Sequence, residues 1–327
     1  AGCPEAPVED PADRCVFAKD GVCDEPANCA LGSDSSDCAS VCGDREDRFR
    51  FGAACAHRGL IEPSTPRQSG EGCGGEGGPH GTVDGTVSVP SGCDLRQTVD
   101  RHFRLFVPPS IRSSEPAPLV LMLPGHRVDL FSLPVYTQLN PSAERNGFIV
   151  AYTEQEWRGP GAVCRSGETK WAWWTDWDWA RRPRANPDLL YFTRLVEQVS
   201  TTYNIDRSRI YAVGHSRGGA MSVIAALELP NLFAGACSQS GFTEFGYDER
   251  IRAYDGPKVP MFFMHGVADT DVPVRRSDDI VNALRDKGWT RDTLDFFRLA
   301  DVAHRWQPQL NQEWWEFLSE RPLGWSP

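Results

Sequence analysis

The residues with the clearest chemistry lie in Gly214-His215-Ser216-Arg217-Gly218. A serine hydroxyl is a weak nucleophile unless a sharp turn exposes it within reach of a base. Here an apolar run, Ile210–Val213, precedes it, and a helix-forming stretch, Gly218–Leu229, follows. That context predicts a strand-to-helix turn with the side chain at its apex. Gly214 and Gly218 leave room for such a turn, and Gly219 lets the next helix pack close. The helix beginning there favours developing negative charge.

A base and an acid should follow in the order acid, then His. Asp269 lies in the loop after the apolar run Val259–His265, and His304 lies after Leu294–Arg298. Asp269 would fix the imidazole tautomer and stabilise the imidazolium. Asp271 is a rival acid two residues on, or else a turn residue before Pro273. Position directly after the strand favours Asp269. A lone His is more often structural than catalytic, and only the chain order singles out His304. His265 ends a strand and reads as a packing residue. His215 adjoins the serine, so it either points away or lines a substrate pocket. An oxyanion hole needs two backbone N–H donors. Arg217, next to the serine, would give one. The other would come from Pro124-Gly125-His126, after the run Leu119–Leu123. Proline has no N–H, which leaves His126.

Such a site needs a rigid sheet beneath it. Short apolar runs bounded by breakers predict strands at Arg101–Val107, Leu119–Leu123, Phe148–Tyr152, Ile210–Val213, Met261–His265 and Leu294–Arg298. Most lack alternation, as strands buried on both faces do. Helical patterns fall between them at Leu189–Tyr203, Gly218–Leu229, Ser277–Lys287 and Gln309–Ser319. The alternation predicts an α/β doubly wound, mostly parallel sheet. The length of 327 residues suits one such domain plus a small appendage. Residues 91–327 carry the alternation, residues 44–90 read as a linker of loop character leading into the catalytic domain, and residues 1–43 form a separate Cys-rich zone.

Composition narrows the context. The net charge of -11 and the lack of a basic stripe exclude a nucleic-acid partner. No run approaches the roughly eighteen apolar residues that span a bilayer. Six of the 11 cysteines (Cys3, Cys15, Cys23, Cys29, Cys38 and Cys42) fall in the first 42 residues. That density reads as a disulfide scaffold in an oxidising compartment, so export is expected. A zinc site fits poorly, because no Cys pair has two-residue spacing and the nearest His is His57. The odd count has two readings. In one, Cys3 after Ala1-Gly2 is a lipid-attachment residue that anchors the protein to a membrane, leaving ten cysteines for five bridges. In the other, Cys3 pairs and another thiol is free.

Together these residues resemble the secreted esterases of the polyhydroxybutyrate depolymerase and feruloyl esterase group. The resemblance covers roughly residues 70–320 and includes Gly72-Cys73-Gly74, Ala117–Leu121, Glu144–Val150, Ile205–Tyr211, His265–Asp269 and His304-Arg305-Trp306. It implies an α/β-hydrolase fold and acyl transfer without a catalytic cofactor. It also implies an ester substrate, polymeric or polysaccharide-linked. The chain departs from the pattern at Pro124, at Arg217 and at Asp301-Val302-Ala303, where such enzymes usually have His, a smaller residue and glycines. The segment Asp20–Glu25 with Gly32–Cys38 resembles the small calcium-binding repeats of Notch and lipoprotein-receptor type. Asp20, Asp24, Asp34 and Asp37 would supply the hard oxygens that calcium takes, with a solvated acidic loop as the plain alternative.

Five tryptophans crowd between Trp171 and Trp179. Their flat faces suit rings and sugars, and alternate residues also suit a buried strand. Trp173, Trp174 and Trp306 are the candidates for the substrate wall. Arg181, Arg182 and Arg184 would meet a substrate carboxylate or simply sit in water. Two rival classes share these features: a peptidase on the same fold, and a surface binding protein with a hydrolase-like body.

Overall fold

A computed structural model describes residues 77–91, 96–126, 128–158, 174–176, 186–243 and 247–325. The Cys-rich zone 1–43, with Cys3 and the proposed calcium ligands Asp20, Asp24, Asp34 and Asp37, lies outside the described residues.

In chain order the elements are β1 (Gly81–Pro90), β2 (Thr98–Val107), β3 (Ala117–Leu123), α1 (Leu133–Thr137), α2 (Leu139–Asn146), β4 (Ile149–Thr153), β5 (Glu156–Arg158) and β6 (Trp174–Asp176). There follow α3 (Pro187–Thr202), β7 (Ile205–His215), α4 (Arg217–Glu228), β8 (Gly235–Gln239), α5 (Tyr247–Ala253), β9 (Met261–Gly266), α6 (Arg275–Asp286), β10 (Leu294–Leu299) and α7 (Asn311–Ser319). Eight strands form one sheet in the order β1-β2-β4-β3-β7-β8-β9-β10. From β4 to β10 all neighbours are parallel, while β1 and β2 are antiparallel additions at one edge. β5 and β6 make a separate two-stranded ribbon.

The apolar runs become the central strands for the expected reason. Every residue of β3, β4, β8 and β9 is buried, with one apolar cluster on each face of the sheet. No helix among the described residues is long and apolar enough to cross a membrane.

One expectation changes. Residues 81–90 are not loop: β1 pairs with β2 in unbroken register from Gly81↔Val107 to Pro90↔Thr98. Only every second residue turns inward, as an antiparallel edge strand requires. One cysteine is among the described residues. Cys237, in β8, is a free thiol buried in the core, and burial pushes its pKa up. The other ten cysteines, Cys3 among them, lie outside the described residues, so both readings of the odd count stand.

α3 is fastened to the antiparallel edge by a buried ion pair. Its N-cap is Asn186, whose Oδ1 accepts from the N–H groups of Asp188 at 2.9 Å and Leu189 at 3.3 Å, with Pro187 pre-set for the first turn. Asp188 in turn accepts from Arg101 of β2. The Arg101 guanidinium also donates to the Glu154 carbonyl and lies 4.1 Å from the centre of the Tyr191 ring. Both charged side chains are buried. Removing one partner of a buried pair strands the other charge. Arg101→Ala should therefore cost about 3–5 kcal/mol in urea unfolding. A loss below about 1 kcal/mol, the size of an exposed pair, would contradict this.

Candidate active site

The turn at Ser216 is built by steric necessity. Ser216 links β7 to α4 with φ 57° and ψ -118°, a conformation that side-chain-bearing residues rarely hold. A methyl group on Gly218 would stand 2.0 Å from the Leu123 carbonyl oxygen, and one on Gly214 would stand 2.2 Å from the Gly218 carbonyl. Only glycine lets these backbones meet. The Ser216 N–H donates to the Gln239 carbonyl at 2.8 Å, and its own carbonyl accepts from Ala220 N–H at 3.0 Å.

Ser216 and His304 line a common cavity of about 670 Å³, together with Gly125, His126, His215 and Arg217. His304 Nδ1 lies 2.7 Å from Asp269 Oδ2. The carboxylate can only accept, so Nδ1 donates and Nε2 is the nitrogen left to take a proton. His304 bonds Asp269, not Asp271. The Asp271 N–H instead donates to Asp269 Oδ1 at 3.0 Å, as does Val272 N–H at 2.8 Å. Burial alone would raise the Asp269 carboxyl, but the Val272 N–H and His304 outweigh it and hold it below the usual carboxylate range.

His265 does more than pack. Its Nε2 lies 2.8 Å from the Val272 carbonyl and 3.3 Å from Asp269 Oδ2, and Nδ1 lies 2.7 Å from Ser277 Oγ. It thus supports the carboxylate that His304 uses. Burial lowers its pKa, which keeps the ring neutral.

Trp306 is not a cavity wall. It is 2% exposed, and its Nε1 donates to the Thr137 carbonyl at 3.0 Å and Asn311 Oδ1 at 3.2 Å. The indole fills the core and ties the His304 loop to α1. Its backbone N–H donates to Tyr136 Oη at 2.8 Å. Gln239 completes the frame: its side-chain Oε1 accepts from Gln307 N–H at 2.9 Å while its carbonyl holds Ser216. Tyr136 and Gln239 carry no motif that sequence reading could have flagged.

His215 lines the cavity, one of the two positions left open for it. Its ring lies 4.7 Å from that of His304, centre to centre, and Nδ1 lies 3.2 Å from Tyr136 Oη. Burial first, then the neighbouring His304, pushes its pKa down to about 3, so it is a neutral neighbour and not a second base. Trp173 and the Arg181, Arg182 and Arg184 group lie outside the described residues, as does the Trp174 side chain, although the Trp174 backbone belongs to β6. Among the described residues no group of three or more His, Cys, Asp or Glu is placed to hold a metal.

With this geometry in place, comparison with known proteins is informative. A family profile described as phospholipase/carboxylesterase matches residues 162–321. The bifunctional acetylxylan esterase/xylanase of Neocallimastix patriciarum is 26% identical over 211 residues, 63% of this chain and 26% of that protein. Acetylxylan esterase A of Emericella nidulans is 29% identical over 145 residues, 42% of this chain and 41% of that protein. Poly(3-hydroxyalkanoate) depolymerase C of Paucimonas lemoignei is 27% identical over 123 residues, 30% of each chain. The chain thus spans less than half the length of these curated relatives. Among solved structures, an S-formylglutathione hydrolase from Agrobacterium tumefaciens aligns with TM-score 0.56 and 18% identity, over 76% of this chain and 98% of that one. A ferulic acid esterase aligns with TM-score 0.54 and 15% identity, over 73% and 97%. The fold is that of an α/β-hydrolase.

The buried histidines make stability pH-dependent. His215 has a folded pKa below its unfolded value of 6.5, so the unfolded chain binds the extra proton between there and about 3. Stability should fall as pH drops through that window. His265 adds to the slope, and Asp269 adds to it lower down, below the usual carboxylate pKa. Urea midpoints at about pH 7 and about pH 5 should differ less in His215→Gln than in the wild type. Parallel slopes would show that His215 is not the group responsible.

Proposed function

We propose that the protein is a serine esterase in which Ser216 is the nucleophile, His304 the general base and Asp269 the residue that orients it. One observation carries the reading: the His304–Asp269 bond of 2.7 Å at the rim of the cavity that the strained Ser216 turn lines. Ser216 Oγ attacks the ester carbonyl while His304 Nε2 takes its proton. His304⁺ then protonates the departing alcohol, which leaves an acyl group on Ser216. Water, deprotonated by His304, releases the acid and restores the serine. Asp269 stays ionised throughout and stabilises the imidazolium. The N–H groups of His126 and Arg217 are the proposed oxyanion donors, since both residues border the cavity beside Ser216.

The substrate we propose is a carboxylic ester, borne on a polysaccharide or within a polyester. The family profile and the acetylxylan esterase and depolymerase relatives support that class. We place the enzyme outside the reducing cytosol, on the strength of the cysteines concentrated before residue 43.

The test is an ester panel: p-nitrophenyl acetate and butyrate, methyl ferulate, acetylated xylan and polyhydroxybutyrate film. Ser216→Ala should lose at least about a thousandfold in kcat/KM and all labelling by a fluorophosphonate probe. Asp269→Asn should lose about ten-thousandfold in kcat, far more than Asp271→Asn. A folded wild type that hydrolyses none of the esters but cleaves peptides would make it a peptidase. One that the probe does not label would make it a binding protein.

A further inference from the structure

The same cavity carries charge that acyl transfer does not require. Besides the residues already described it is lined by Arg275 and Arg276, and Asp271 is its carboxylate among the described lining residues. With Arg217 this makes three guanidinium groups around one cavity, in a chain whose net charge is -11.

Helix stability does not explain Arg275 and Arg276. They open α6, where the helix dipole disfavours cations. The acid of that first turn, Asp278, pairs instead with Arg298 at 3.0 Å. Both arginine side chains are exposed, and neither makes an ion pair or side-chain hydrogen bond among the described residues. Less exposed arginines are engaged, as in Arg104–Asp84 and Arg207–Glu197, each at 2.6 Å, while other exposed ones such as Arg252 and Arg285 are not, so it is the position on the cavity that sets Arg275 and Arg276 apart. A local rule broken without local compensation is where function is to be sought.

Their position is also fixed relative to the proposed triad. The Val272 N–H donates to Asp269 Oδ1 at 2.8 Å, and the Arg276 N–H donates to the Pro273 carbonyl at 2.9 Å. The short segment from Asp269 to Arg276 therefore holds the acid at one end and presents the guanidiniums to the cavity at the other.

We propose that Arg275 and Arg276 form a carboxylate-recognition subsite, so that the preferred ester carries an anionic group near the scissile bond. This rests on the esterase reading above. The carboxylate would belong either to the acyl part, as in a dicarboxylic half-ester, or to the alcohol part, as in an acidic sugar. Planar guanidiniums suit it, because they pair with carboxylates in a bidentate fork.

Two matched pairs of esters test this. On the acyl side, mono-p-nitrophenyl succinate is compared with p-nitrophenyl butyrate. On the alcohol side, O-acetyl galacturonate is compared with O-acetyl galactose. In one pair the anionic ester should be preferred about tenfold in kcat/KM, the worth of two exposed ion pairs, and that pair identifies the source of the carboxylate. The preference should sit in KM, shrink with added salt and disappear in Arg275→Ala/Arg276→Ala. Arg275→Lys/Arg276→Lys should retain part of it, which guards against a misfolded alanine variant. Hydrolysis of the neutral esters with no anionic preference in either pair, or a preference that survives the alanine variant, would overturn the subsite and leave the esterase standing. No hydrolysis of any of the four would remove both.

Discussion

The turn at Ser216 constrains everything around it. Holding a serine at φ 57° costs on the order of 1–3 kcal/mol. The chain accepts that cost because the surrounding backbone allows no relaxed alternative. β3 presses its Leu123 carbonyl against Gly218, β7 brings Gly214 against the same residue, and β8 holds the Ser216 N–H through Gln239. These three strands are neighbours in the middle of the sheet. The strand order is thus the means by which a strained serine is held at the C-terminal ends of the central strands, and the buried residues of β3 and β8 keep the order fixed.

A second frame holds the histidine. His304 sits on an irregular loop, which alone would be free to move. Asp269 holds its ring, Tyr136 and Thr137 hold Trp306 behind it, and Gln239 holds Gln307. Gln239 bonds both the serine turn and the histidine loop, so the two halves of the site share one fastening point. His265 adds a layer beneath, since it touches both Asp269 and the Val272 carbonyl of the loop that presents Arg275 and Arg276. Orientation of the His304 ring and presentation of Arg275 and Arg276 to the cavity therefore depend on the same eight-residue stretch.

The residues read as nucleophile, acid and base stand out because each follows a strand with an apolar run: Ile210–Val213 in β7, most of β9, and Phe296-Phe297 in β10, although only Leu294 of β10 is fully buried. β3, β7, β9 and β10 are visible as runs, and chain order does the rest. β8 was not legible: Gly235-Ala236-Cys237-Ser238-Gln239 has little strand propensity and is a strand because β7 and β9 flank it. β1 was hidden by its alternation beside a glycine-rich stretch. Trp306 lies two residues after His304 in the sequence, but sequence proximity does not say which way a ring turns. Here two hydrogen bonds turn it inward. Tyr136 and Gln239 act through contacts that span 170 and 68 residues, respectively, and no local pattern encodes those.

The central claim is covalent, so the most direct measurement is the mass of the protein during turnover. Wild type mixed with a slowly released ester, such as p-nitrophenyl trimethylacetate, and quenched in acid should gain the mass of one acyl group. Peptide mapping should place that group on the segment containing Ser216, and His304→Ala should not acquire it on the same timescale. Turnover with no adduct at any quench time, or an adduct on a residue other than Ser216, would contradict the account.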